Sequence, residues 1–152
     1  MLRTILALLA LVALTASASA AVPTIEGSYT VDGKAMPLVD VIATPDFIAG
    51  TQVVVANRPF DRDKWFKDGK LDTHQLRVDT VGKDFVYLEF QVRDGKVACV
   101  KAYDTAPYQR LCEGLVATFS QDSATQIAGT LKFQYGQRTL DFRFDAPVEG
   151  KH

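Results

Sequence analysis

Apolar and polar residues alternate with a period of two over most of the chain, the pattern of strands with one face on a core and one in water. The clearest stretch lies near the C-terminus. Ile127, Gly129, Leu131, Phe133 and Tyr135 alternate there with Ala128, Thr130, Lys132 and Gln134. Gly136-Gln137 then fits a two-residue II′ turn, whose first position takes a positive φ that glycine supplies. Such a hairpin pairs Phe133 with Leu140, Leu131 with Phe142 and Gly129 with Phe144 on an apolar face. Its other face pairs Lys132 with Asp141 and Thr130 with Arg143, so core and solvent sides separate cleanly.

A second hairpin is expected around Asp94-Gly95, a type I′ signal. It sets Val92 opposite Val97, Phe90 opposite Cys99, Leu88 opposite Lys101 and Val86 opposite Tyr103, which points Cys99 at the core. A third turns at Asp32-Gly33, with Tyr29 opposite Met36 and Gly27 opposite Leu38. Pro37 removes a ladder donor, so its strand belongs at an edge or a bulge. Further strands are predicted at 51–57, 74–81 and 114–120. One short helix is predicted at 61–67, capped by Asp61 and ended by Asp68-Gly69. Asp-Gly-Lys recurs at 32–34, 68–70 and 94–96 without matching flanks, which is turn chemistry reused and not a repeat. About eight or nine strands with frequent turn signals predict an all-β fold, an antiparallel sandwich or small barrel with one short helix.

The N-terminus departs from this pattern. Arg3 precedes an apolar run from Ile5 to Leu14, then Ala16-Ser17-Ala18-Ser19-Ala20. That is the form of a secretory signal over 1–20, cleaved after Ala18 or Ala20, leaving one β-rich domain at 21–152. The chain of 152 residues carries 17 basic and 18 acidic side chains. Without a basic surplus a nucleic-acid partner is not expected. No later apolar run exceeds four residues, so no membrane span is expected after signal removal. Cys99 and Cys112 are the two cysteines. An even count in an exported chain predicts a disulfide between them, worth about 3 kcal/mol on the chain-entropy account.

Chemistry is sparse. G-x-S-x-G, H-E-x-x-H, the Walker loop and G-x-G-x-x-G are all absent, and His74 is the one internal histidine. Two cysteines and one histidine are too few for a zinc site. Asp61, Asp63 and Asp68 lack the alternating oxygens of a calcium loop. No metal, cofactor or catalytic residue is therefore assigned. Two segments look like contact surfaces. One is the loop enclosed by the cysteines, with Tyr103, Pro107, Tyr108 and Arg110; Tyr and Arg are common interface anchors. The other runs from Arg58 through Trp65-Phe66.

The segments Gly27-Ser-Tyr-Thr-Val-Asp-Gly-Lys34, Val53-Val-Val-Ala-Asn-Arg-Pro59, Ile127-Ala-Gly-Thr-Leu131 and Phe142-Arg-Phe-Asp-Ala-Pro147 resemble small exported bacterial β-domains of uncharacterised function. The resemblance implies a β fold and an envelope location, and it carries no catalytic residue. The leading expectation is a periplasmic or secreted, non-enzymatic binding domain whose partner is an envelope or extracellular protein, for instance a hydrolase that it inhibits. A carrier of a small apolar ligand and a hydrolase with dispersed carboxylates are the alternatives.

Overall fold

The computed structural model describes residues 22–80, 82–105 and 107–150, so the expected signal at 1–20 lies outside the described residues. Two five-stranded antiparallel sheets face each other. The first runs β10 (Val116–Asp122), β11 (Gln126–Tyr135), β12 (Arg138–Pro147), β1 (Thr24–Val31), β2 (Lys34–Pro37). The second runs β3 (Asp40–Pro45), β4 (Thr51–Ala56), β7 (Tyr87–Val92), β8 (Val100–Tyr103), β9 (Gln109–Leu111). Between β4 and β7 lies an insert. It holds α1 (Arg62–Trp65), the two-residue strands β5 (Phe66–Lys67) and β6 (Lys70–Leu71), and α2 (Thr73–Thr80). Read in circuit, the strands follow the order of an up-and-down barrel, opened where β2 passes to β3 and where β9 passes to β10. The result is sandwich-like.

The C-terminal hairpin has the expected register throughout, including Leu131↔Phe142 and Lys132↔Asp141. Tyr29↔Met36 also pairs as expected, and β2 with its Pro37 is an edge strand. All three Asp-Gly-Lys triplets form hairpin turns. Their Asp and Gly φ angles are +50° and +76°, +53° and +73°, and +50° and +67°. Both central residues of a type I′ turn need positive φ, which Asp tolerates and Gly adopts freely.

Three expectations need correction. The segment 74–81 is not a strand: Thr73–Thr80 is helix α2. Asp72 starts it, its carboxylate accepting from the Gln75 amide at 2.9 Å and its carbonyl from the Leu76 amide at 2.9 Å. Leu76 and Thr80, four apart, point into the protein while Val78 is exposed. The helix predicted at 61–67 stops at Trp65, and Asp68-Gly69 turns the β5–β6 hairpin instead of ending it. Asp61 does cap α1, accepting from the Lys64 amide at 3.1 Å.

The third correction is a register. At the turn Arg93 bridges Lys96, but further along Phe90 faces Val100, Leu88 faces Ala102 and Tyr87 faces Tyr103. One extra residue between Lys96 and Val100 shifts the pairing, and a one-residue slip exchanges the two faces of a strand. Val100 and Ala102 therefore enter the core, while Cys99, Lys101 and Tyr103 take the outer face.

Two apolar clusters result. The larger lies between the sheets, with Tyr29, Val53, Val55, Leu88, Phe90, Leu131, Phe142 and Phe144 among its members. The smaller lies on the outer face of the second sheet, where Ile42, Val54, Ala56 and Tyr87 meet Phe60, Trp65, Leu71 and Leu76 of the insert. Val53-Val54-Val55-Ala56 is unbroken apolar because β4 is covered on both sides. Asp40 pins the insert, accepting from Arg62 Nη1 and Nη2 at 2.8 and 3.0 Å and from the Phe60 amide at 2.8 Å.

Candidate functional site

The insert covers only half of the outer face of the second sheet. On β7, β8 and β9 the other half stays open, and antiparallel register arranges its side chains in rows. Tyr87 faces Tyr103, Glu89 faces Lys101, and Lys101 faces Arg110. Continuing the β8–β9 register by one step each way sets Tyr103 against Tyr108 and Cys99 against Cys112. A tyrosine row, a charge row and a disulfide thus cross the strands side by side.

The disulfide joins Cys99 and Cys112 with Cα atoms 4.2 Å apart, a cross-strand staple at the base of the β8–β9 hairpin. The segment expected as a cross-linked loop is thus mostly strand. Its tip carries Asp104, Thr105 and Pro107, with Ala106 outside the described residues. The Arg110 guanidinium donates to Cys99 Sγ at 3.6 Å.

In the tyrosine row, Tyr87 and Tyr103 stack with centroids 4.2 Å apart, and Tyr108 leans on Tyr103 at 5.1 Å. These rings, with Arg77, Lys83 and Thr105, line a cleft of about 200 Å³ between α2 and the hairpin tip. Burial pushes the Tyr103 phenol well above its ordinary range, and the Glu89 charge pushes it further. The Tyr87 phenol is raised in the same way. The Tyr103 hydroxyl keeps its proton and donates it to Glu89 at 3.1 Å.

Glu89 organises the charge row. Only 6% exposed, it accepts from Lys101 Nζ at 3.0 Å, Tyr103 hydroxyl at 3.1 Å and Gln52 Nε2 at 3.3 Å. A second concavity, of about 270 Å³, opens beside it over Arg93, Lys96, Cys99, Lys101 and Arg110.

Of the residues singled out from the sequence, Tyr103, Tyr108 and Arg110 come together on this face, with exposed Pro107 at its rim. Arg58 and Trp65 do not join them. Arg58 is exposed and lines a separate hollow with Lys34 and Asp84. Trp65 is buried in the smaller core beneath the insert, its indole N–H donating to Asp79 at 2.7 Å. Sequence reasoning missed Glu89, Arg77 and Lys83. The signal for Glu89 was a charged residue inside an otherwise apolar strand, Tyr87-Leu88-Glu89-Phe90.

The other shielded carboxylates serve the fold. Asp104 accepts from the Tyr29 hydroxyl at 2.9 Å and pairs with Arg138 at 3.3 Å, tying the two sheets together at one end. Asp79 is held by Trp65, Lys64 and Gln75. Among the described residues no group of three His, Cys, Asp or Glu side chains is placed to hold a metal ion. No helix among the described residues is long and apolar enough to cross a membrane. No protein-family model, curated protein or solved structure matches the chain.

Proposed function

We propose that the chain is an exported binding domain, and that the open half of the second sheet, centred on Tyr103, Tyr108 and Arg110, is its contact surface for an envelope or extracellular protein. The observation that carries this reading is the row arrangement. Tyr103 and Arg110 stand on paired, disulfide-stapled strands, with Tyr108 just before the second of them, beside two concavities. Anchors held on rigid strands lose little conformational freedom on binding. Tyr and Arg are the residue types that most often dominate interface energies. The disulfide and the signal-like N-terminus favour an oxidising compartment. An apolar-ligand carrier is less favoured, since Tyr29, Phe90, Phe142 and Phe144 occupy the space between the sheets. A hydrolase is less favoured because Asp40, Asp79, Glu89 and Asp104 are each engaged by fixed donors.

The test is capture from an envelope extract by immobilised protein. A discrete partner retained by wild type and lost with Tyr108→Ala/Arg110→Ala, at an unchanged melting temperature, is the expected result. Equal retention by both proteins removes this surface from the binding role.

A further inference from the structure

The chain as a whole is nearly neutral, with 17 basic and 18 acidic side chains. The open face is not. Arg93, Lys96, Lys101 and Arg110 line the larger concavity, and Arg77 and Lys83 line the tyrosine cleft beside it. The two carboxylates in these walls are already committed. Glu89 is engaged by Lys101, Tyr103 and Gln52, and Asp104 by Tyr29 and Arg138. Arg93 has Asp46 at 3.7 Å. Among the described residues, Lys96 and Arg110 form no ion pair.

Lys101 and Arg110 stand directly opposite each other on neighbouring strands. Like charges in that position repel, and Glu89 offsets only one of them. A fold that keeps such a pair on an open face gains an attraction for anions there, and the field of several cations over one hollow adds to it.

The tyrosines narrow the choice of anion. Tyr103 is covered on its two sides by Tyr87 and Tyr108, and the Lys101 ammonium lies 6.0 Å from the Tyr108 ring centre. The ring faces are thus taken up, which disfavours stacking on a sugar. β9 is the last strand of its sheet, so its outer edge offers backbone N–H and C=O groups that an extended peptide can pair with.

We infer that this face docks an acidic, extended protein segment, whose carboxylates enter the concavity over the disulfide beside Lys96, Lys101 and Arg110. The inference rests on the binding role proposed above and names the chemistry of the partner.

The probe is a fluorescein-labelled deca-glutamate peptide, followed by anisotropy. Saturable binding at low salt that fades when the Debye length shrinks at higher salt is expected. Lys96→Glu/Arg110→Glu should weaken it at least about tenfold. Lys132→Glu, on the outer face of the other sheet, should leave it unchanged, and Lys96→Glu/Arg110→Glu should melt as wild type does. Absence of saturable binding, or equal weakening by Lys132→Glu, overturns the inference. So does tighter binding of polygalacturonate at matched charge, which assigns the face to an acidic glycan. In the extract experiment, capture lost with Tyr108→Ala/Arg110→Ala yet kept with Lys96→Glu overturns the acidic partner and leaves the binding surface standing. Capture kept by all variants overturns both.

Discussion

Glu89 couples the stability of the second sheet to the electrostatics of its open face, so replacing it tests both. Glu89→Ala removes an acceptor of three hydrogen bonds, from Lys101, Tyr103 and Gln52. Lys101 is 39% exposed along its side chain and turns to water at little cost. Tyr103 is wedged between two rings, and its hydroxyl loses its acceptor in a half-buried place. A buried donor left unsatisfied costs about 1–3 kcal/mol, and bonds to a charged group contribute about 1.5–3. With the lysine able to rehydrate, the sum expected is about 2–3 kcal/mol, a fall of roughly 6–12 °C in Tm for a domain of this size.

Urea unfolding followed by far-ultraviolet circular dichroism measures the loss, with Trp65 fluorescence as a second probe located on the insert. Glu89→Gln keeps the shape and should cost less. It should also lower the Tyr103 phenol pKa toward its ordinary value, read by absorbance titration, because the carboxylate charge no longer opposes ionisation of the phenol. Both variants should bind the deca-glutamate probe more tightly than wild type, since Lys101 loses its counter-charge. A Glu89→Ala protein within 0.5 kcal/mol of wild type, on the scale of an ordinary surface change, refutes the view that this carboxylate organises the sheet.

Leu76→Ala should cost about 2–5 kcal/mol by leaving a void beneath α2, and blue-shifted Trp65 emission that persists at full wild-type stability would contradict the packing described. Asp79 is held down to about 2 from 3.8, chiefly by the Trp65 indole N–H and then by Lys64. A carboxylate lowered in the folded state stabilises above its unfolded pKa, and that stabilisation is lost as pH falls through the folded value. Wild type should therefore lose urea resistance between about pH 4 and pH 2, and Asp79→Asn should show a shallower fall; parallel curves would exclude the coupling. Cys99→Ser/Cys112→Ser should lower stability by about 3 kcal/mol, while an unchanged urea midpoint would show the staple to be energetically idle.

How much of this was legible in the chain depends on how locally each feature is encoded. The C-terminal hairpin was legible to the residue, because Gly136 sets the turn and ten residues on each side repeat one pattern. The Asp94-Gly95 turn was equally clear, yet a turn fixes only the nearest pairs. The extra residue before Val100 is a tertiary accommodation, and its one trace in the sequence was a conflict, Lys101 placed opposite Leu88 on an apolar face. In Thr73–Thr80, Leu76, Val78 and Thr80 satisfy a period of two as well as Leu76 and Thr80 satisfy a helix. Packing decided, although Asp72 followed three residues later by Gln75 carried the capping signal. Tyr103, Tyr108 and Arg110 were found from residue type, since they lie within eight residues of one another. Arg77 and Glu89 reach the same face from α2 and β7, a proximity that only the crossing of strands creates.

The site and the smaller core are two parts of one surface, and the sequence of β7 shows why the boundary falls where it does. Along its outward positions the strand reads Tyr87, Glu89, Gln91, Arg93, from an aromatic ring to a solvated cation. β4 changes in parallel, from Ala56 and Val54 under the insert to Gln52 beyond it. The insert therefore need not cover the whole face, because the polar half satisfies itself through Glu89 and water. Tyr87 sits at the border, buried on the insert side and stacked on Tyr103 on the other. A shift of α2 would change the cleft directly, since Arg77 and Thr80 form its wall. The packing that buries Leu76 and Trp65 thereby sets the position of Arg77 at the tyrosine cleft, so stability of the insert and the share of acidic-partner affinity that Arg77 supplies should fall together in Leu76→Ala. A variant that loses the first and keeps the second would show the two halves to be independent.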